Sequence, residues 1–106
     1  MSWKVNFYQN LRGESPVKEF ILAQEKINVS KITRYIDLLE NNGPFLKPPY
    51  IKKIQDKLYE LRITGQVEIR IFYTIREGEY YLLHAFKKKT QQTPVKELKT
   101  ALNRIR

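Results

Sequence analysis

Val67-Glu68-Ile69-Arg70-Ile71-Phe72-Tyr73-Thr74-Ile75 places an apolar residue at every second position, 67, 69, 71, 73 and 75. A period of two over this length is the pattern of a long strand with one face buried. Turn residues bracket it, Thr64-Gly65-Gln66 before and Glu77-Gly78 after. On the near side Leu58-Tyr59-Glu60-Leu61-Arg62-Ile63 alternates as well, and on the far side Tyr80 to Phe86 reads as another strand. Short connections join antiparallel neighbours, so this segment predicts a three-stranded meander.

Toward the N-terminus, Trp3 to Tyr8 alternates for most of its length and predicts a short strand that stops in the Asn10 to Gly13 region. Ser15 and Pro16 have the form of a cap and first-turn proline, and Val17, Phe20, Ile21 and Ile27 follow on one helical face. Ile32, Tyr35, Ile36 and Leu39 mark a second helix, closed by Asn41-Asn42-Gly43-Pro44. Between Gly43 and Tyr50 three prolines and a glycine predict an extended surface connection. At the far end Thr93-Pro94 opens a last helix with Val95, Leu98, Ala101, Leu102 and Ile105 on its apolar side, and Arg104 and Arg106 suit its negative end. The predicted order is β-α-α-β-β-β-α, an α+β domain with an antiparallel sheet packed on a helical hairpin and a C-terminal helix.

At 106 residues with 42% hydrophobic content the chain suits a single domain over residues 1–106 with one real core. It has no cysteine, which excludes disulfides, thiolate metal sites and a cysteine nucleophile. One histidine, His84, cannot build a His-rich metal site, and the carboxylates are scattered singly. No cofactor or metal is expected. The start lacks the apolar run of a secretory signal and no stretch has the length of a membrane span, so a soluble, cytoplasmic chain with no membrane partner is expected.

The net charge is +9, and it is uneven. Residues 87–106 hold seven cations, Lys87, Lys88, Lys89, Lys96, Lys99, Arg104 and Arg106, against one carboxylate, Glu97, which gives +6; the remaining 86 residues carry the other +3. Such a field draws nucleic acid or an acidic protein, although a basic amphipathic helix also has an ordinary solvated lysine face. Alternation adds a second feature: with Leu61, Ile69, Ile71 and Tyr73 buried, Glu60, Arg62, Glu68, Arg70 and Phe72 turn to the other face. Arginines beside an aromatic suit a phosphodiester, by bidentate contact and base stacking on Phe72. Cross-strand pairing of Glu60 or Glu68 with the arginines fits the same pattern without any function.

Tyr59-Glu60-Leu61-Arg62-Ile63, Arg70-Ile71-Phe72-Tyr73 and above all Leu82-Leu83-His84-Ala85-Phe86-Lys87-Lys88-Lys89-Thr90-Gln91-Gln92-Thr93-Pro94 resemble the RelE/ParE toxin superfamily, most closely its phage-derived, HigB-like branch. The likeness covers about residues 57–106. Tyr59 stands where the branch often has tryptophan, and Ala85 where a glycine commonly follows the histidine. The resemblance implies a RelE-like fold and the toxin of a type II toxin-antitoxin pair. Such a toxin is usually a ribosome-dependent endoribonuclease that cuts mRNA in the A site. It also implies a cognate antitoxin with a helix-turn-helix domain, a free toxin that is monomeric, and a hetero-oligomer with the antitoxin. Gyrase-poisoning ParE members share the fold without cutting RNA, which leaves a non-hydrolytic gyrase inhibitor as the alternative, and a decayed toxin that only binds its antitoxin as a third.

RNA can be cut without metal when its 2′-hydroxyl attacks the adjacent phosphorus, cations stabilise the added charge and an acid protonates the leaving 5′-oxygen. By motif position Arg70 is assigned to the transition-state phosphate, Arg62 to phosphate orientation and Lys88 to proton donation, with Lys87 and Lys89 gripping the backbone. Glu60 suits the orientation of Arg62 better than proton abstraction, since a carboxylate paired with arginine is a weak base, and a lysine can serve instead. His84 titrates in the right range by residue type, but within an apolar strand run it also reads as a packed, hydrogen-bonded residue.

Overall fold

The computed structural model describes residues 2–105; Met1 and Arg106, the second of the cations expected at the C-terminal helix end, lie outside the described residues. The elements are β1 (Val5–Phe7), α1 (Pro16–Leu22), α2 (Lys26–Asn42), β2 (Ile51–Gln55), β3 (Leu58–Ile63), β4 (Ile69–Arg76), β5 (Glu79–Lys87) and α3 (Val95–Arg104), with a 3₁₀ turn at Gly43–Phe45. This is the mixed α+β architecture of a RelE-like fold. The expected meander is β3-β4-β5, and its tight turn at Glu77-Gly78 has positive φ at both central residues, 51° and 79°, the geometry that matches strand twist in a two-residue hairpin.

Two features of the sheet differ from the sequence reading. It has five strands in the order β1-β5-β4-β3-β2, and β1 runs parallel to β5, so the sheet is mixed. The added strand is β2, Ile51-Lys52-Lys53-Ile54-Gln55. Ile51 packs with the core on one side of the sheet and Ile54 with the core on the other. One apolar residue per face leaves no period of two to read, and the surface lysines at 52 and 53 suit an edge strand.

Helix boundaries also shift. After Phe20 and Ile21 the next positions on that face are Gln24 and Asn28, so α1 has nothing more to bury and closes at Leu22; Ile27 falls in the first turn of α2, exposed. Ser15 precedes α1 in extended conformation but makes no side-chain cap, and α3 is capped by the extended Pro94 rather than by Thr93. Gly43 does end α2 as read: its φ is 49°, and a Cβ there would run into the Trp3 ring.

The sheet separates two apolar clusters rather than resting on one. The larger holds Val17, Ile21, Ile32 and Leu39 of the helical hairpin against Leu61, Ile63, Ile69, Ile71 and Tyr73. On the opposite face Leu58, Phe72, Leu83 and Phe86 pack beneath Ala101 of α3, with Leu98 and Leu102 alongside. The face that carries Glu60, Arg62 and Arg70 is therefore partly roofed by α3.

Candidate functional site

Strand register assembles the site. Glu60, Phe72 and His84 form one cross-strand row, and Arg62, Arg70 and Phe86 form the next. Alternation puts both rows on the α3 side. A bulge in β5 contributes: Phe72 pairs with His84 but Tyr73 with Leu82, so Leu83 is extra and both Leu83 and His84 serve the α3 side.

At the centre is a buried carboxylate between two guanidiniums. Glu60 Oε1 lies 3.6 Å from Arg62 Nε and 3.9 Å from Arg70 Nε, and the Glu60 side chain is 2% exposed. These separations are ion-pair distances beyond hydrogen-bond reach, and Glu60 Oε2 and both Nε atoms have no hydrogen-bond partner. Arg70 makes two further bonds. It donates from Nη1 to Ile69 O at 3.1 Å and from Nη2 to Glu68 Oε1 at 3.0 Å, and its side chain is 5% exposed. Arg62, at 33%, is the guanidinium that solvent reaches.

Glu68 closes the cluster at its outer edge. Its carboxylate accepts the Gly65 N–H at 3.1 Å, and that bond holds its pKa below the ordinary value of 4.5, against a smaller opposing effect of burial; the Arg70 bond and the charges of Arg70 and Lys31 act in the same direction as the Gly65 bond. The lysine loop leaves the sheet beside it. Lys87 stands opposite Ile69, and Lys88 N–H donates to Glu68 O at 2.8 Å. Lys87 and Lys89 are exposed and Lys88 half-buried. Among the described residues none of the three is in an ion pair.

The structure thus brings Glu60, Arg62 and Arg70 together and starts the lysine loop at their rim. It does not leave Phe72 free to stack on a base: the ring is fully buried under α3, 5.5 Å from the Phe86 ring, because the second apolar cluster needs it there. The sequence reading also missed the bonds that hold α3 down. His84 Nε2 lies 2.6 Å from Glu97 Oε1, and Arg104 Nη1 donates to Leu83 O at 2.8 Å while lying 3.5 Å from His84 Nδ1. The imidazole thus lies between the Glu97 carboxylate and the Arg104 guanidinium. Glu97 was visible as the single acid of the basic C-terminal segment, a hint that it has a partner.

A small α+β chain with paired arginines on a sheet face, a lysine loop at their edge and a helix across that face has the build of a RelE-like toxin. The model of the phage-derived Gp49-like protein family matches residues 19–106, and the chain belongs to that family, a RelE-like, toxin-like family of phage origin. Comparison with curated proteins finds no match.

Proposed function

We propose that this chain is the toxin of a type II toxin-antitoxin pair, of the HigB-like branch. In this reading residues 1–106 are one domain that acts in the cytoplasm as a ribosome-dependent mRNA endoribonuclease. What supports it, beyond the family, is one observation: two arginines of adjacent strands share a buried carboxylate at the root of a three-lysine loop. The RNA 2′-hydroxyl attacks the adjacent phosphorus without metal, and the 5′-oxygen leaves. Arg62, partly exposed, meets the phosphate first and orients it. Arg70 then exchanges Glu68 for the charge that builds on the phosphoryl oxygens. Lys88 protonates the leaving oxygen, and Lys87 and Lys89 hold the backbone. Glu60 aims both guanidiniums rather than acting as base, and a loop lysine takes the 2′-hydroxyl proton. Phe72 supports the sheet from beneath and contacts no base. The partners are mRNA on the ribosome and a helix-turn-helix antitoxin that binds the otherwise monomeric toxin.

Primer extension on a translated mRNA, with and without ribosomes, tests this with the wild-type chain and Arg70→Ala. The expected result is cutting at A-site codons that requires ribosomes and falls about a hundredfold or more in the variant. A second reading has an observation of its own: Arg70 is already held by two carboxylates, as in a structural role, which favours a ParE-like protein that inhibits gyrase without hydrolysis. A folded chain that arrests growth but leaves mRNA intact would select that reading.

A further inference from the structure

The sheet face that carries Arg62 and Arg70 has a second basic region at its other end. Arg70 and Arg76 have the same parity on β4, six residues and roughly 20 Å apart. Around Arg76 lies an open groove of about 1310 Å³, bounded by β1, the loop over residues 9–15 and the C-terminal end of α3. Arg12, Lys18, Arg76 and Arg104 line it against a single lining carboxylate, Glu14, which the Asn10 amide holds at 2.7 Å. Among the described residues none of these four cations is in an ion pair. In the Arg62/Arg70 cluster the charges are internally compensated; here Glu14 and Glu79, the latter bonded to Asn6 and Tyr81 of the groove wall and opposite Arg76, offset only two of the four cations.

Two of the cations are also fixed in place. Arg76 lies over the Tyr81 ring and Arg104 over the Tyr8 ring, each 5.3 Å from the centroid, and all four residues line the groove. A guanidinium stacked on an aromatic is held in a set orientation. Arg104 spends Nη1 on the Leu83 carbonyl, whereas Arg76 makes no side-chain hydrogen bond among the described residues and is the one ready for bidentate contact with an oxyanion. Ser15 Oγ, on a residue of the groove wall, is buried without a hydrogen-bond partner. The groove therefore presents excess positive charge and an oriented Arg76 guanidinium, beside a wall hydroxyl that has no partner among the described residues.

We propose that this groove is a second binding site, which takes the phosphodiester backbone of single-stranded RNA on one side of the segment held at Arg62 and Arg70. The choice of RNA rests on the nuclease reading above. An acidic peptide would meet the same cations, but a phosphodiester offers an oxyanion at every unit of a flexible strand, which can pass around α3 from one basic region to the other.

The test is binding without turnover, by fluorescence anisotropy with an end-labelled oligouridylate over a series of salt concentrations. The variant is R12A/R76A, which removes two exposed side chains; R12K/R76K preserves the charge, and circular dichroism checks folding. The expected result is roughly tenfold weaker binding by R12A/R76A, with the log–log salt slope less steep by about 1.4, two phosphate contacts at about 0.7 each for single strands. The lysine variant should keep the wild-type slope. An unchanged slope in R12A/R76A overturns the proposal, as does tighter groove-dependent binding of polyglutamate than of oligouridylate, which would give the groove to an acidic protein segment. Groove-dependent oligouridylate binding by a chain that leaves mRNA uncut would uphold the groove and remove only the nuclease reading.

Discussion

Arg62 and Arg70 stand directly opposite each other on β3 and β4, and their Nε atoms approach the same oxygen of Glu60, at 3.6 and 3.9 Å. Like charges in a cross-strand pair repel, and the Glu60 carboxylate between them, with Glu68 on Arg70, offsets that repulsion. Glu60 is in turn tolerable at 2% exposure only because both cations face it. The three residues are one electrostatic unit, and none of its members has an independent stability.

Removing the shared carboxylate should therefore be costly. Glu60→Gln leaves Arg62 without a carboxylate and Arg70 with Glu68 alone, and the loss expected for breaking a buried ion pair is on the order of 3 kcal/mol. Urea denaturation measures it. A loss below about 1 kcal/mol would mean that water already screens the unit, and the orienting role of Glu60 would go with it.

Phe72 separates packing from recognition. Its ring is fully buried between the sheet and α3, so Phe72→Ala should destabilise the fold by about 3–5 kcal/mol, while Phe72→Leu keeps most of the volume and costs less. If thermal unfolding of Phe72→Ala matched the wild type while RNA affinity dropped, the ring would be a stacking surface after all.

The meander was legible because every second residue from 67 to 75 is apolar and the flanking turns are short. The same alternation placed Glu60, Arg62 and Arg70 on one face, which the register bears out. What lies across that face was not legible. Phe72 has the same parity as Arg70, and alternation states the face of a side chain but not whether another element covers it. The apolar stripe of the last helix, Leu98, Ala101 and Leu102, was evident, yet a stripe does not name its partner surface. The parallel pairing of β1 was hidden for a related reason, since a three-residue strand carries no mark of direction.

Two titrations bound the pH range of the fold. Tyr73 is pushed well above the ordinary value of 10.0 by burial first and then by Tyr80 and Tyr59; Tyr80 is raised by burial and by Tyr59. Both are favoured as neutral phenols in the folded state, so their contribution is complete below pH 10 and is lost as pH rises beyond it. Glu68 works in the opposite sense: its lowered pKa contributes stability above pH 4.5 that is lost as pH falls through the folded value. Ultraviolet titration of the seven tyrosines should show a class that ionises only on alkaline unfolding. Tyr73→Phe should remove part of that class, and a single ionisation step shared by all seven would contradict the buried stack of Tyr59 and Tyr73, whose centroids are 5.4 Å apart.

The attachment of α3 gives the last prediction. His84 bonds Glu97 in the first turn of the helix, and Arg104 in its last turn bonds the Leu83 carbonyl next to that histidine, so both ends are tied to one point of β5. The apolar contacts of Ala101, Leu98 and Leu102 lie between these ties. Glu97→Ala removes only the first, a partly exposed bond worth about 1–2 kcal/mol. The consequence should be local: faster hydrogen exchange in the first turns of α3, with β3 and β4 amides unchanged. Arg104→Ala should loosen the other end instead, and the double variant should raise exchange across the whole helix. Uniform acceleration through the sheet by Glu97→Ala alone would show that α3 and the meander open as one cooperative unit, and that the ties to β5 do not act locally.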